Sequence, residues 1–339
     1  MKYLAMPTFD IRTNLATEQY LMSKKDIELP LVLFYIQKPC VIIGRNQNTL
    51  EEIDQQYCKD KNIVVTRRLS GGGAMYDDLG NLSFSFIVNA DKQRFGDFKT
   101  MVAPIVAALH KLGVSGAEVT GRNDIVVDGK KFSGNAMYTR SGRTFSHGTL
   151  MLDVDMDEVG KALSVPKDKI QSKGIKSVRS RVTNLRPYLA EKYKRITTEE
   201  FRDFIIQSIL GSVSMSEARK HAYDLTIEDQ AEIEKLEQKY YRNWDWVYGR
   251  SPKFTLKRRR HFENGTIDAR VLVENGRIDT IRFLGDYFGV KDVVHLEKLL
   301  AGQTFDAQKI AKVLAAIDIN DYFQGINSGQ IVRLLFNLR

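Results

Sequence analysis

Hydrophobic and polar positions change period several times along this chain, and each change marks an element. Residues 12–24, RTNLATEQYLMSK, place Leu15, Tyr20, Leu21 and Met22 close to one helical face, which predicts a first helix. Two apolar runs, LVLFYI (31–36) and CVIIG (40–44), read as strands separated by a turn at Gln37, Lys38 and Pro39. A short acidic helix through Tyr57 leads into NIVVT (62–66), whose β-branched run reads as a buried strand, and NLSFSFIV (81–88) alternates with a period of two. Residues 98–112 predict a helix stopped by Gly113, with Pro104 either inside it or marking its true first turn. Strand-like sequence at 117–120 and then 121–127 meets Asp128 and Gly129, a hairpin signal that returns the chain through 130–136. Side chains alternate across a strand, so Lys130 and Lys131 point to opposite faces and one of them turns inward or into a cleft. His147, Gly148 and Thr149 begin a further strand. Thr197 to Glu200 fits a capping box for a helix through Leu210, and a polar helix runs over about 226–242.

Trp244, Asp245 and Trp246, followed by Gly249, Arg250, Ser251 and Pro252, read as a hinge. Beyond it the pattern changes to three alternating strands, KFTLKRRRHF, TIDARVLVEN and RIDTIRFLG, with a hairpin turn at Asn275 and Gly276, then short helices over 293–300 and 307–316. The division predicted is a larger domain over 1–246 and a small α+β domain over 250–339, the latter long enough to fold as a unit.

Composition narrows the class. The chain has 339 residues, 43% hydrophobic and 27% charged, so it carries enough apolar material for two cores and too much for disorder to dominate. No apolar run approaches the roughly 20 residues of a membrane helix, and the start of the chain lacks the apolar region of a secretory signal. Cys40 and Cys58 are too far apart for a CxxC metal or redox motif and read as buried thiols in a reducing cytoplasm. The net charge of +9 favours anionic partners: nucleotides, nucleic acid or an acidic protein surface.

The candidate chemistry centres on residues 67–86, RRLSGGGAMYDDLGNLSFSF. Three consecutive glycines permit positive φ, so that successive N–H groups converge on an anion, and Arg67 or Arg68 supplies a forked donor suited to phosphate. The plainer reading is a flexible connection between strands. No Gly-Lys-Ser/Thr follows, so this is not a Walker A loop. Other polar loops leave strands at 44–48, 121–124, 131–136, 147–149 and 173–184. They hold glycines, cations, asparagines and one histidine, which suits nucleotide binding and charge stabilisation better than nucleophilic catalysis.

In order and with ordinary spacing, RRLSGGGAMYDDLGN, GRNDI, KFSGNA, HGTL and KGIKSVRSRVTNL resemble the lipoate–protein ligases, and residues 250–339 resemble the accessory domain of their two-domain members. The resemblance implies an α/β (α+β) catalytic domain of the biotin/lipoate ligase type, with mixed sheets flanked by helices. It also implies a two-step reaction: lipoate and ATP give lipoyl-AMP and pyrophosphate, then the lipoyl group passes to a lysine of an acceptor lipoyl domain or glycine-cleavage H protein. On this resemblance Lys131 is the catalytic lysine, contacting both the lipoate carboxyl and nucleotide phosphate. Arg68, Gly73, Ala74, Met75, Tyr76, Asn123, Lys173, Ser177 and Val178 match ATP- or AMP-binding positions. Ser70, Gly71, Gly72, Arg68, His147 and Gly148 match lipoate-binding positions. Mg²⁺ is implied for the pyrophosphate, with Asp124 the candidate ligand. Residues 173–184 suit a lid over the adenylate, whose mixed anhydride must be kept from water. Asn14 and Glu18 read as structural. KRRRH at 257–261 reads as a solvated strand face or an electrostatic dock for an acidic acceptor.

Three rival readings remain. Acyl-carrier-dependent octanoyl or lipoyl transferases share the fold but use a cysteine nucleophile, and no cysteine follows Cys58. A biotin protein ligase would carry a glycine–arginine loop where RRLSGGG stands. A nucleic-acid-binding module would interleave aromatic and basic residues, a pattern missing here.

Overall fold

The computed structural model describes residues 1–90, 95–121, 123–163, 181–249, 256–274 and 276–336. The chain divides into two compact units. One comprises Met1–Ile42, Leu50–Arg67 and Met75–Val247; the other comprises Ile43–Thr49, Arg68–Ala74 and Tyr248–Arg339.

The first unit is organised on a seven-stranded mixed sheet. Its strands are β1 (Lys2–Ala5), β2 (Leu31–Tyr35), β6 (Asn81–Asn89), β7 (Glu118–Thr120), β8 (Asp124–Val127), β9 (Lys130–Arg140) and β10 (Arg143–Met151), in the order β1-β2-β6-β10-β9-β8-β7. A three-stranded sheet adds β3 (Cys40–Ile43), β4 (Val64–Arg67) and β5 (Met75–Asp77), in the order β4-β3-β5. The alternation in β6 sets the two faces of the large sheet. Phe84 and Phe86 project into a core with Val32, Phe34 and Leu150, closed by Val102, Ile105 and Leu109 of the Phe98–Lys111 helix and Phe201 and Ile205 of the Thr198–Leu210 helix. Each such side chain, fully buried, contributes about 1.5–3 kcal/mol. Ser83 and Ser85 take the opposite face and are buried as well. A polar layer is therefore enclosed on that side.

Local signals placed most elements. Asp10 caps the first helix, Ile11–Ser23, by accepting from the Arg12 N–H. Thr197 and Glu200 form the reciprocal capping box, and Gly211 ends that helix in the left-handed region. Pro104 lies inside the Phe98–Lys111 helix, whose true cap is Asp97. The strand expected from His147 starts earlier, at Arg143: Ser141 and Gly142 take positive φ in a tight turn, and the Arg143 guanidinium donates to the carbonyls of Leu21 and Lys25 at the end of the first helix. The polar helix is α-helical over Ile227–Leu236 and widens into a π turn over Glu237–Tyr241. Trp246 packs within the first unit, its indole N–H donating to the Arg67 carbonyl at 2.9 Å. Arg250, Ser251 and Pro252, the rest of the expected hinge, lie outside the described residues.

In the second unit β11 (Leu256–Phe262), β12 (Gly265–Glu274) and β13 (Arg277–Gly285) form an antiparallel sheet. Ile267, Ala269, Val271 and Phe283 pack against Val293–Leu300, Ala307–Ala315 and Ser328–Phe336, the last a helix the sequence reading did not separate. Lys257, Arg259 and His261 of β11 are exposed.

Candidate functional site

The β8–β9 hairpin carries the expected lysine. Asp128 (φ +50°) and Gly129 (φ +70°) make its turn, and the register runs Asp124 opposite Gly134 and Ile125 opposite Ser133 before shifting by a bulge at Ile125 and Val126. The backbone of Lys131 is fixed: its N–H donates to the Arg181 carbonyl at 2.7 Å, and its carbonyl accepts from Thr183 at 2.8 Å. Its side chain lies across Gly134, where a Cβ would stand 3.1 Å from Nζ, and reaches Asp124 Oδ1 at 2.7 Å. Both partners stay partly exposed, 38% and 37%. Lys130 is exposed, so Lys131 is the member of the pair that turns to the polar site.

Asn123, next to Asp124, is tied to Asn135. The Asn123 carbonyl accepts from both the backbone N–H (2.9 Å) and Nδ2 (3.0 Å) of Asn135, and Asn123 Nδ2 donates to the Asn135 carbonyl at 2.5 Å. Asn135 Nδ2 also reaches Ser133 Oγ at 3.2 Å. Gly148 stands opposite Asn135, so close that a Cβ on it would lie 2.1 Å from Asn135 Oδ1 and 2.7 Å from Phe84 Cζ. The neighbouring His147 is buried on the polar face, its Nδ1 2.9 Å from Glu18 Oε1 and its ring centroid 4.8 Å from that of Phe145. With the carboxylate as acceptor, Nδ1 carries the proton. Glu18 thus ties the first helix to β10. One turn earlier Asn14 is fully buried with neither amide atom bonded, and Ser85, opposite His147, also keeps an unbonded Oγ.

Toward the other end of this face Gln37 Nε2 donates to Asp77 and to Ser83 Oγ, which also accepts from Asn81 Nδ2 at 3.1 Å. Tyr76, next to Asp77 in β5, is buried as well. Burial first, then the carboxylates of Asp78, Glu158 and Asp155, push its phenol up, so it remains a neutral O–H donor. Burial raises the Asp78 carboxyl as well, opposed by N–H donors from Asp155 and Gly80.

The glycine-rich stretch belongs to the second unit. Arg68 Nη2 donates to the carbonyls of Gly71 (2.7 Å) and Gly73 (2.8 Å), and Nε to Ser70 Oγ (3.1 Å), so the guanidinium organises its own loop. Of the three glycines, Gly72 takes positive φ (+91°). Gly71 is required for room, since a Cβ would meet the Tyr287 carbonyl at 2.4 Å, while Gly73 faces open space. Ala74 closes this segment, and Met75 opens β5 in the first unit. Arg45 completes the frame through its N–H to the Ser70 carbonyl (2.9 Å) and its side chain to Asp292. Arg67, the alternative phosphate ligand, is fully buried and donates to the carbonyls of Trp246 and Val247; it is a structural residue.

Lys173, Ser177 and Val178 lie outside the described residues, as does most of the expected lid. Among the described residues no three His, Cys, Asp or Glu side chains converge as a metal site. Cys40 and Cys58 are buried free thiols; burial raises both, and for Cys40 the carboxylates of Asp77, Asp78 and Asp10 add to it. Neither has the lowered pKa of a nucleophilic thiol. Sequence reading missed Asn135, although it stands inside KFSGNA.

Comparison with known proteins matches residues 10–210 to the lipoyl protein ligase A/B catalytic domain and residues 251–335 to the bacterial lipoate protein ligase C-terminus. The lipoate-protein ligase LplJ of Bacillus subtilis (strain 168) is 47% identical over 327 residues, 96% of this chain and 97% of that protein. The bi-partite lipoate protein ligase of Thermoplasma acidophilum, studied with its E2 lipoyl domain, superposes with a TM-score of 0.62 at 30% identity, over 75% of this chain and 98% of that one. A lipoate-protein ligase A bound with ATP gives 0.58 at 27% identity, over 73% and 98%.

Proposed function

This chain belongs to the lipoate–protein ligase family, and from that membership we propose how its own residues carry out ATP-dependent lipoylation. It is a ligase that joins lipoate to protein at the expense of ATP. In the first step a lipoate carboxylate oxygen attacks the α-phosphorus of ATP; the new P–O bond forms as the bond to pyrophosphate breaks. Both reactants are anionic, so a cation between them lowers the barrier by offsetting charge that develops in the transition state. Lys131 is that cation. The observation that carries this reading is its setting: a rigid backbone, a side chain laid over a glycine, and an ammonium whose partner is an equally accessible carboxylate. Exchange of Asp124 for a phosphate or carboxylate oxygen therefore costs little.

In the second step the ε-amine of an acceptor lysine attacks the acyl carbonyl of lipoyl-AMP, and AMP leaves. The acceptor is a lipoyl domain of a 2-oxoacid dehydrogenase or an H protein; the Thermoplasma lipoylation system, a ligase and its E2 lipoyl domain, supports the first. Exposed Lys257, Arg259 and His261 suit an acidic acceptor surface. Arg68, Gly73, Ala74, Met75, Tyr76 and Asn123, with Lys173, Ser177 and Val178, serve the nucleotide, and Ser70, Gly71, Gly72, His147 and Gly148 the lipoyl group. The working division is a catalytic domain over 1–246 and an accessory domain over 250–339. Mg²⁺ would neutralise the departing pyrophosphate. One carboxylate, Asp124, suits an ion that takes its remaining ligands from phosphate and water, and does not amount to a protein-built cage. No helix among the described residues is long and apolar enough to cross a membrane, which is consistent with work in the cytoplasm.

Incubation with ATP, Mg²⁺ and lipoate, followed by mass spectrometry, tests the reaction through bound lipoyl-AMP. Failure to form it in a folded sample would remove the proposal.

A further inference from the structure

Lys131 is held in place by a chain of contacts that begins at Asn135, four residues along the same strand and within the same motif. Its ammonium rests on Asp124, and Asp124 follows Asn123 at the mouth of a bulged hairpin, where ladder pairing alone leaves the backbone poorly determined. Asn135 supplies what the ladder lacks. Two of its N–H donors converge on the Asn123 carbonyl, the Asn123 amide returns a third bond, and Ser133 Oγ fixes the remaining torsion of the Asn135 side chain. The arrangement has a cost. Asn135 Oδ1 is buried without a partner, which is unfavourable for an amide acceptor. It also demands a glycine opposite, because any Cβ at residue 148 would strike Oδ1. Gly148 has no positive φ to justify it; room for Asn135 does.

We infer that Asn135 is a positioning residue of the ligase reaction, holding the turn that carries Asn123 and Asp124 so that the Lys131 ammonium is stationed for the adenylation step. This rests on the role of Lys131 proposed above. Asn135 is bonded to Asn123 and Ser133, and it acts on Lys131 through Asn123 and Asp124. Ser133 and Gly134 then complete one device, the first orienting Asn135 and the second making space for the lysine stem.

The test uses the full chain, with Asn135→Ala and, should that variant be poorly folded, the isosteric Asn135→Asp, which replaces a donor with an acceptor. The first readout needs no catalysis: pulse acetylation of amines, with the Lys131 rate measured by mass spectrometry against exposed Lys130 in the same peptide. Loosening the turn should raise the Lys131:Lys130 ratio at least threefold, as Asp124→Asn should also do. The second readout is lipoate-dependent pyrophosphate release in a double-mutant cycle. Asn135→Ala should lower kcat on the order of tenfold or more in the wild-type background and by less than twofold in Lys131→Ala, because a residue acting through Lys131 has nothing left to position. An unchanged labelling ratio, or equal losses in both backgrounds, overturns the inference. If Lys131→Ala itself releases pyrophosphate at the wild-type rate, the role given to Lys131 has failed, and the labelling ratio still decides whether Asn135 restrains it.

Discussion

Two lysine–aspartate pairs in the first unit have the same chemistry and nearly the same length. Lys131 meets Asp124 at 2.7 Å and Lys24 meets Asp229 at 2.6 Å, yet they are built for opposite ends. Asp229 is fully buried and receives, besides Lys24, the hydroxyls of Tyr20 (2.6 Å) and Tyr223 (3.0 Å) and the Thr226 N–H. Burial alone would raise its carboxyl; the donors, led by Lys24, overcome that and bring it down to about 2. It joins the first helix to the cap of the Ile227–Leu236 helix, and no part of it is offered to a ligand. Asp124 has water on one side and one cationic partner among the contacts described. Distance therefore says little about purpose. On the role proposed for Lys131, accessibility and the number of competing donors separate a brace from a station that a substrate takes over.

The comparison breaks most visibly on Lys131→Ala. Loss of the cation proposed to lie between the two reacting anions should cut lipoate-dependent pyrophosphate release by about 10²–10³-fold. The thermal midpoint should barely move, because the pair is exposed. Pyrophosphate release near the wild-type rate would mean that Lys131 and Asp124 are merely a surface pair.

Asp229→Asn should do the reverse, lowering stability by roughly 2 kcal/mol through the loss of charged hydrogen bonds, with activity per folded molecule unchanged. The pH dependence follows from the sign of the shift. A carboxyl at about 2 when folded and near its ordinary 3.8 when unfolded stabilises the protein fully above that ordinary value. The contribution is lost as pH falls toward 2, so wild type and variant should converge across that window in acid unfolding. Parallel curves would show that Asp229 does not titrate as described.

Gly71→Ala and Gly73→Ala extend the contrast to the glycine loop. The first places a Cβ against the Tyr287 carbonyl, so overpacking should cost about 1–3 kcal/mol. The second opens on empty space and should stay within about 0.5 kcal/mol. Equal effects would show that the loop does not hold the described contacts. Asp124→Asn should change stability by less than about 1 kcal/mol, and a larger loss in urea unfolding would make that pair a brace as well. Smallest of all, Cys40→Ser and Cys58→Ser should leave acyl transfer per folded molecule unaltered, while loss of transfer would favour a thiol-based acyltransferase.

Much of this molecule was legible wherever the signal is local. The Asp128 and Gly129 turn, the Thr197 capping box and the Ser/Phe alternation of β6 each rest on residues within a few positions of one another, and the structure has them all. The misreadings share a cause. Arg143 starts a strand because its guanidinium finds carbonyls about 120 residues away, and Arg67 is structural because it meets Trp246 and Val247, about 180 residues on. Pro104 is tolerated in mid-helix where the sequence left two options. The pairing of Glu18 with His147 is likewise invisible to any local window.

The order of motifs, the lysine within KFSGNA and the family itself were settled by the amino-acid sequence, because these depend on which residues are present and how they are spaced. Folding decided which of two adjacent lysines is stationed, which of two adjacent arginines is spent on the core, and why residue 148 carries no side chain. Those outcomes turn on close approach between distant strands, where a single Cβ or one unsatisfied amide is enough to choose between arrangements that composition and periodicity leave equal.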